Sequence, residues 1–473
     1  MEIKIHMHKF ICLFSFWSYF EQKLFELYGN ITTFVSDYNT TMMNRISFLT
    51  LLILTVSAAS KAYGQERTEI FISRSDTAVH YRIPAISSFK DGTVISVADY
   101  RFSRNDIGIV KDGRVDLRAR VSKDNGCTWE DITTVIAGKG KESPDFMNVG
   151  FGDPSIVTDR KTGRTLLMCA AGNVAFTEGT AETHLRLPRM YSDDKGRTWS
   201  APQDVTVDLY RLFDDSVHGP AKSMFITSGR IVQSRYIKAG KYYRIYCAVL
   251  QIAGNGKWMN FVLYSDDFGQ NWNVLGGTDT PAIPHDANEA KVEELPDGNL
   301  VISSRTDAEG RMFNVFSYEN QKKATGSWDE MAHSSGHNKG IITKGNSCNG
   351  ELLSVPVIRC KDGHEMLLML QSAPAGPKRS NVSIYYKGLE SGRKYTSEDI
   401  AAGWEGAFLA TGIGSAYSVM AMLSSGKVGF AYEEKTYYPT SGAGYTIVYD
   451  AYGIEEITEG AYRLDEKAIR KTR

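Results

Sequence analysis

One eight-residue motif occurs three times along the chain and constrains the fold more than any other feature. Its copies begin at Ser122, Ser192 and Ser265, and they read SKDNGCTW, SDDKGRTW and SDDFGQNW. The near-constant spacing of about 70 residues indicates a structural repeat. The shared aspartate can accept hydrogen bonds from turn amides, the glycine can adopt positive φ, and the tryptophan can cover apolar surface. Because a strand-like run precedes each copy, the motif predicts a hairpin corner in successive β-sheet units.

The strand and turn pattern around these motifs extends to six units, each composed of strand, glycine turn, strand, strand, corner and strand. Their first strands are predicted to begin at residues 82, 153, 221, 289, 351 and 417. In the third unit, the run Tyr243–Leu250 is interpreted as a long insertion. Antiparallel four-stranded units repeated around an axis form a propeller. The sequence therefore predicts an all-β fold, a six-bladed β-propeller of four-stranded antiparallel blades.

Composition is consistent with this fold and excludes several functional classes. The 473 residues are 42% hydrophobic and 11% aromatic, which is enough for a large β-rich core. A net charge of −1 gives no electrostatic reason to expect nucleic acid or an anionic membrane as a partner. The six cysteines show no metal-binding spacing, and we expect no metal or other cofactor. Cys348 and Cys360 could pair, which the sequence leaves open.

The N-terminal region is predicted to lie outside the propeller. An apolar run at residues 46–56 is too short to span a membrane comfortably, and small residues follow it. This pattern predicts a signal peptide at residues 42–64, cleaved near Gly64–Gln65. Residues 1–41 are interpreted as an upstream extension; the alternative is an authentic N-terminal segment with a membrane helix. Residues 65–473 are predicted to form one domain, exported to the periplasm or the extracellular space as a monomer without a membrane span.

The polarity of the repeat predicts where unusual polar residues gather. If each first strand runs upward, the starts of first strands and the ends of second strands meet on the lower face, near the axis. The polar residues at or beside these positions are Arg82, Arg101, Asp106, Asp153, Glu289, Arg305, Arg379 and Tyr417. Arginines that share one pocket repel each other unless an anion lies between them, and a guanidinium group matches a carboxylate bidentately. The cluster therefore indicates a substrate that carries a carboxylate, with acid–base chemistry nearby.

Short segments around these residues resemble motifs of bacterial exo-α-sialidases, and the repeated motif resembles the Asp box of sialidase-type propellers. The similarity runs from about residue 70 to residue 460. The matching segments are Tyr81-Arg82-Ile83-Pro84, Asn288-Glu289, Ser304-Arg305, Lys378-Arg379-Ser380-Asn381 and Ala416-Tyr417-Ser418.

The resemblance implies a role for each residue of the cluster. Arg82, Arg305 and Arg379 would clamp the carboxylate of sialic acid. Tyr417 would be the nucleophile and Glu289 its base. Asp106 would be the acid/base aspartate, whereas Arg101 and Asp153 would make further contacts to the sugar.

Some of these positions have rivals nearby in the sequence. Arg104 competes with Arg101 for one role, and Asp99, Asp112 and Asp116 are alternatives to Asp106.

The implied chemistry explains these residue types. Sialidases with a tyrosine nucleophile are an exception among retaining glycosidases, which mostly use a carboxylate. A neutral phenol avoids repulsion by the carboxylate of the substrate, but it needs a base because its pKa is about 10. Asp106 would have to be protonated when the substrate enters.

The implied function is that of an exo-α-sialidase. Such an enzyme hydrolyses terminal sialic acid from glycoproteins, glycolipids or oligosaccharides, with retention through a tyrosyl-enzyme intermediate, so the expected partners are sialylated glycans. A trans-sialidase or an intramolecular trans-sialidase is the alternative within the same class. A non-catalytic sialic acid-binding propeller is a third possibility, and the joint presence of Tyr417, Glu289 and Asp106 argues against it.

Overall fold

The computed structural model describes residues 67–73, 79–103, 105–344, 348–435 and 444–472. The predicted upstream extension (residues 1–41), the predicted signal peptide (residues 42–64) and Arg104 lie outside these ranges, so the inferences about them stay predictions. Among the described residues, no helix combines the length and the apolar character that a membrane crossing requires.

The described strands form six sheets that follow one another along the chain, and the prediction of a six-bladed β-propeller is confirmed. Blades 1 and 6 have four strands, and the other sheets have a fifth. Within each blade the main strands pair in antiparallel register.

The strand bounds of the first three blades are as follows. Blade 1 contains His80–Ser88, Val94–Arg101, Val115–Ser122 and Thr133–Ile136. Blade 2 contains Phe151–Thr158, Thr165–Ala171, Pro188–Ser192 and Gln203–Asp204, and Gly229–Arg230 joins its inner edge. Blade 3 contains Ser223–Ile226, Val232–Ala239, Tyr242–Ile252, Trp258–Ser265 and Asn273–Val274.

The remaining blades use the second half of the chain and one N-terminal strand. Blade 4 contains Ala290–Glu294, Leu300–Arg305, Arg311–Asn320, Thr325–Trp328 and Ala332–His333. Blade 5 contains Leu352–Arg359, Glu365–Gly376, Ser380–Glu390, Gly406–Leu409 and Tyr462–Leu464. Blade 6 contains Ser415–Met422, Val428–Glu434, Thr446–Tyr452 and Thr68–Phe71.

The described helices are short and lie between strands or near the C-terminus. The α-helices are Thr206–Arg211, Ser397–Ala401, Ile454–Ile457 and Glu466–Thr472. The 3₁₀ helices are Gly140–Glu142, Met147–Val149, Phe176–Glu178 and Ser334–Gly336.

The core lies between the blades, because both faces of each sheet are covered by neighbours. Every residue of the second strand of blade 2, Thr165–Ala171, is buried, and its side chains enter two different apolar clusters. A strand that is buried on both faces has a continuous apolar sequence instead of an alternating one. The sequence TLLMCAA of this strand has that character.

The ring is closed by a strand from the beginning of the described chain. Thr68–Phe71 pairs antiparallel with Thr446–Tyr452, with Thr68 opposite Tyr449. The sequence predicted four strands for every blade but did not locate the fourth strand of the sixth unit, which this N-terminal segment supplies. The segment that precedes blade 1 in the chain is thereby paired with blade 6 by backbone hydrogen bonds, and no repeat pattern within one unit could indicate this pairing.

The third blade differs from its prediction. Tyr242–Ile252 is the central strand of this blade, pairing with Trp258–Ser265 on one side and with Ser223–Ile226 and Val232–Ala239 on the other. The interpretation of Tyr243–Leu250 as an insertion is therefore wrong. The predicted second strand, which begins at Arg230, is divided between two blades. Its first residue pairs with the inner edge of blade 2, and the residues from Val232 onward pair within blade 3.

The three repeated motifs form nearly identical corners between the third and fourth strands of blades 1, 2 and 3. In the first, the Ser122 hydroxyl accepts from the Gly126 amide at 2.8 Å, and Asp124 accepts from the Thr128 amide at 2.8 Å. The Trp129 indole N–H donates to the carbonyl of Gly126 at 3.0 Å. Gly126 has φ of 90°, which explains why glycine is required there.

Irregularities in three innermost strands aim side chains at one end of the propeller axis. Pairing shifts register between Arg82 and Ala85, between Gly152 and Ser155, and between Ser415 and Ser418. In two of these bulges, Ile83 and Asp153 have φ of 54° and 55°, values that are strained for residues with a Cβ. Bulges often redirect side chains next to functional sites.

Cys348 and Cys360 do not form a disulfide. Both are free cysteines; Cys348 is buried and Cys360 is exposed.

Candidate active site

Tyr417 lies at the centre of the polar cluster. Its hydroxyl is 2.9 Å from Oε1 and 2.8 Å from Oε2 of Glu289, so the phenol donates to this carboxylate. Arg305 donates from Nη1 to Glu289 Oε2 at 2.5 Å and to the Tyr417 hydroxyl oxygen at 3.2 Å. The glutamate, which directly precedes the first strand of blade 4, thus contacts both the phenol of blade 6 and the guanidinium at the end of the next strand.

Arg82 approaches the same phenol from blade 1. Its guanidinium carbon lies 5.5 Å from the ring centroid of Tyr417 and 5.1 Å from that of Tyr445. Its Nε donates to Glu433 Oε1 at 2.7 Å, and the Ile83 amide donates to the same oxygen at 2.8 Å. Glu433 therefore holds both the side chain of Arg82 and the strained backbone that follows it.

Arg379 completes the arrangement from the turn between two long strands of blade 5. Its guanidinium carbon lies 5.8 Å from the Tyr417 ring centroid. Lys378 and Arg379 have φ of 55° and 56°, so the turn has a left-handed backbone at this point. The Arg379 carbonyl accepts from the Ser415 amide at 2.8 Å, which ties this turn to the strand that carries Tyr417. Three arginines from three blades therefore surround one phenol.

A second group of charges lies in blades 1 and 2. Arg101 donates to Asp99 from Nη2 at 2.7 Å and from Nε at 3.0 Å, and it also contacts Asp106 through Nη1. The Asp99 carboxylate also accepts from the amide of Asp153 at 2.9 Å. The side chain of Arg101 is only 2% exposed, whereas that of Asp106 is 68% exposed. Asp106 is thus fixed at one oxygen and accessible from outside.

The surroundings set the protonation of the titratable groups in the cluster. Burial, reinforced by the negative charge of Glu289, raises the pKa of the Tyr417 phenol well above its usual range. Burial and the charge of Asp99 likewise raise the pKa of Asp153. For Asp106, burial acts to raise the pKa, but Arg101 and Arg82 outweigh it and hold the pKa of this carboxyl below its usual range. Without substrate, therefore, Tyr417 is neutral and Asp106 is ionised at neutral pH.

The structure places all eight predicted residues at the same end of the axis. Tyr417, Glu289 and Arg305 are in direct contact, and Arg82 and Arg379 lie over the Tyr417 ring. Arg101 contacts both Asp106 and Asp99, and Asp99 accepts from the Asp153 amide. The charges of Arg82 and Arg379 act on Asp106. Among the rivals, Asp99 is fully buried against Arg101, and Asp116 is occupied by Arg114 and Arg118.

Comparison with known proteins shows the family. The family described as BNR repeat-like domain matches residues 111–428, a range that contains all three repeated motifs. Sialidases of Paraclostridium sordellii and Clostridium perfringens are 28% and 26% identical to this chain, over 68% and 65% of it and 74% of their own lengths. The chain belongs to the bacterial sialidase family with Asp-box repeats.

Solved structures with similar folds include a sialidase and intramolecular trans-sialidases. A Hadza microbial sialidase covers 83% of this chain and 69% of its own, with a TM-score of 0.60 and 21% identity. The leech intramolecular trans-sialidase covers 84% of this chain and 72% of its own, with a TM-score of 0.65 and 16% identity. An intramolecular trans-sialidase from Ruminococcus gnavus covers 84% of this chain and 99% of its own, with a TM-score of 0.63 and 17% identity. At these identities the similarity shows a shared fold and nothing further.

Sequence reasoning missed two carboxylates that organise this member of the sialidase family. The sequence pattern indicates Asp99 only as a rival acid and gives no role to Glu433. Both lie near the end of a second strand, the position in the repeat that also supplies Arg305. Their position near the end of a second strand could have identified both carboxylates, because every second strand ends beside the axis on this face.

Proposed function

We propose that this protein is a retaining exo-α-sialidase that releases terminal sialic acid from glycoproteins, glycolipids or oligosaccharides. The proposal is carried by one observation: the hydroxyl of a partly buried tyrosine donates a hydrogen bond to a glutamate while arginines from three blades surround the ring. Family membership and the sialidase relatives support the same reaction class. Each further step below is part of this proposal.

The arginines would bind the substrate by its carboxylate. In a sialoside this carboxylate is attached to C2, the anomeric carbon, so the group that orients the sugar also positions the reacting centre. Arg82, Arg305 and Arg379 can donate to its oxygens in a bidentate manner. Binding an anion between the arginines relieves their mutual repulsion, which favours a sugar acid over a neutral hexose.

Tyr417 would attack C2 as Glu289 takes the phenolic proton. The bond between C2 and the glycosidic oxygen breaks, and the leaving oxygen takes a proton from Asp106. In the second step, Asp106 accepts a proton from water while the water oxygen attacks C2, and Glu289 returns the proton to the departing Tyr417 oxygen. The two displacements at one carbon give net retention.

The charge state of Asp106 must change when substrate binds. In the unliganded site, positive charges hold the pKa of Asp106 below its usual range, so the carboxyl is ionised and cannot act as an acid. The substrate carboxylate would neutralise Arg82 and Arg379, two of the charges responsible. Binding therefore raises the pKa of Asp106 and supplies the general acid when it is needed. This coupling satisfies the requirement that Asp106 be protonated for the first step.

Product analysis tests this function directly. Purified protein is incubated with 3′- and 6′-sialyllactose, and the early products are separated and followed by proton NMR. The proposal predicts free sialic acid that is released first as the α-anomer. Release of the β-anomer would refute retention, and a transferred or internally cyclised sialic acid would assign the protein to the trans-sialidases. No release from any sialoside would favour a binding propeller.

Detection of the covalent intermediate provides a second test. A sialosyl fluoride with an additional fluorine at C3 destabilises the positively charged transition states and slows turnover of the intermediate. We expect peptide mass spectrometry to find the sugar on the peptide that contains Tyr417. A label on any other residue would remove Tyr417 from the nucleophile role.

We also propose that the chain is exported through the signal peptide at residues 42–64. Expression from Met1 and from Met42 in a bacterial host, followed by N-terminal sequencing of the exported product, tests this step. A mature N-terminus near residue 65 from both start sites supports the proposal. A protein that stays in the cytoplasm with residues 42–64 still attached contradicts it.

A further inference from the structure

A cavity of about 420 Å³ opens at the other end of the propeller from Tyr417. All six blades contribute to its wall, most of them through their first strand or the turn that follows it. Representative residues from blades 1 to 6 are Ser87, Thr158, Arg235, Glu293, Ser354 and Met422.

The cavity is separate from the candidate active site. Arg82 and Ser87 lie on the same innermost strand of blade 1, as do Tyr417 and Met422 in blade 6. Five residues of extended strand span roughly 17 Å. A ligand in this cavity would therefore not contact the arginines around Tyr417.

The wall of the cavity carries an excess of positive charge. Six basic residues line it, compared with three acidic residues. Asp91 pairs with Lys195, and Asp159 accepts from the Thr162 amide at 2.9 Å and from Gln233 at 2.7 Å. Asp91 is therefore paired with a cation, whereas Asp159 accepts hydrogen bonds from uncharged donors and keeps its negative charge.

Two arginines near the axis share the third acidic group. Arg230 Nη2 lies 2.6 Å from Glu293 Oε2, and Arg235 Nη2 lies 3.1 Å from Glu293 Oε1. Their side chains are 16% and 13% exposed, so both remain accessible from the cavity. Glu294 and Glu351 also contact these arginines, so the two guanidinium groups face three carboxylates. The excess of positive charge at the wall therefore comes from Lys90, Arg160 and Lys161.

The wall also offers uncharged hydrogen-bonding groups. Ser354 is 4% exposed, and its hydroxyl has no hydrogen-bond partner among the described residues. The Ser87 and Thr158 hydroxyls bond to each other at 2.8 Å across blades 1 and 2. A volume in this range fits a ligand the size of a monosaccharide.

We propose that this cavity, the box-face cavity, binds a small molecule that carries a carboxylate, phosphate or sulfate group. The oxyanion would lie near Lys90, Arg160 and Lys161, and the remainder of the ligand would contact the apolar side of the wall around Met422. This site does not depend on the sialidase reaction.

Calorimetric titration with inorganic phosphate, inorganic sulfate and free sialic acid at constant ionic strength tests the proposal and distinguishes the anion classes. The titrations use the full-length protein with Arg379→Ala, which weakens anion binding at the active site. We expect at least one of the three anions to bind this variant. If none binds, the proposal is overturned.

A pair of charge-reversal variants locates the binding. K90E/K161E changes the rim of the cavity, whereas K322E/K323E makes the same change in net charge at exposed positions of blade 4. In the Arg379→Ala background, we expect K90E/K161E to weaken anion binding at least about tenfold, whereas the control retains it. Equal weakening in both double variants would indicate a general charge effect and would overturn the assignment. With Arg379 restored, K90E/K161E should hydrolyse an aryl sialoside at the wild-type rate.

Discussion

Glu433 accepts a hydrogen bond from Arg82 Nε at 2.7 Å, although the two residues are 351 positions apart in the chain. The same carboxylate accepts from the amide of Ile83 at 2.8 Å and from that of Tyr417 at 3.3 Å. A single buried side chain of blade 6 therefore positions one arginine of blade 1 and the backbone of the proposed nucleophile.

Glu433→Gln should weaken both substrate binding and the fold. The glutamine oxygen can keep the bonds from Arg82 and Ile83, but its NH2 group cannot accept from the Tyr417 amide. The charge of Arg82 also loses its buried anionic partner, so the free energy of unfolding should fall by roughly 3 kcal/mol. We expect KM to rise more than kcat falls, because Arg82 would act on the substrate carboxylate. Urea unfolding and steady-state kinetics measure both effects. Glu455→Gln, at an exposed helical position, is the control and should change neither.

Tyr417→Phe should remove catalysis while leaving the fold intact. The variant loses the nucleophilic oxygen, and kcat for an aryl sialoside should fall by at least about 10³-fold. The melting temperature should change little, because phenylalanine fills the same space. Tyr264→Phe in blade 3 is the matched control and should be fully active. A Tyr417→Phe enzyme with near wild-type kcat would exclude the proposed mechanism.

The pH dependence of the reaction should report the charge state of Asp106. In the free enzyme the pKa of this carboxyl is held below its usual range, so its acidic form is lost as pH rises through that low value. Bound substrate neutralises the arginines and raises the pKa. The decline of kcat with rising pH should therefore occur at higher pH than the decline of kcat/KM, measured with sialyllactose.

Asp106→Asn distinguishes this acid from other titrating groups. The variant should lose at least about 100-fold more activity on sialyllactose than on an aryl sialoside, whose leaving group needs little protonation. Equal losses on the two substrates would contradict a role for Asp106 as the general acid.

The Asp boxes should contribute to stability and not to catalysis. Asp194 accepts from the Ser192 hydroxyl at 2.9 Å and from the Thr198 amide at 2.9 Å, on the face opposite the proposed active site. Asp194→Ala should lower the free energy of unfolding by about 1–3 kcal/mol through the loss of these bonds. The value of kcat/KM at 25 °C should not change. Asp193→Ala, at the exposed neighbouring position, should be neutral, and similar losses for both would argue against a specific role for the box.

Asp450 should make the protein less stable as pH rises toward neutrality. Burial raises the pKa of this carboxyl from 3.8 to about 6 in the folded state. Its contribution to stability is fully present below about pH 4 and is lost as pH rises through about 6. Asp450→Asn keeps an acceptor for the Tyr452 hydroxyl and should raise the melting temperature at pH 7.5 but not at pH 4. Asp208→Asn, at an exposed position, removes the same charge and is the control variant.

Much of the architecture could be predicted because corresponding strands run in the same direction in every repeat. The boxes that begin at residues 122, 192 and 265 indicated corners on one face of the propeller. The starts of first strands and the ends of second strands must then lie on the opposite face, which is where Arg82, Glu289, Arg305 and Tyr417 were expected. Alternation of strand direction within a blade is a local property, and it applies to every blade once it is known for one. The sequence alone thus determined the fold class, the number of blades and the end of the axis at which these side chains meet.

Only the tertiary structure decided the pairings between distant segments. Thr68–Phe71 closes the ring against Thr446–Tyr452, and Tyr242–Ile252 is a central strand instead of an insertion. The contacts of Glu433 and Asp99 with neighbouring blades, and the box-face cavity itself, likewise arise only from the way the blades are placed next to each other. Backbone pairing and buried charge compensation are set by contacts in space, and they leave no periodic signal in the segments that make them.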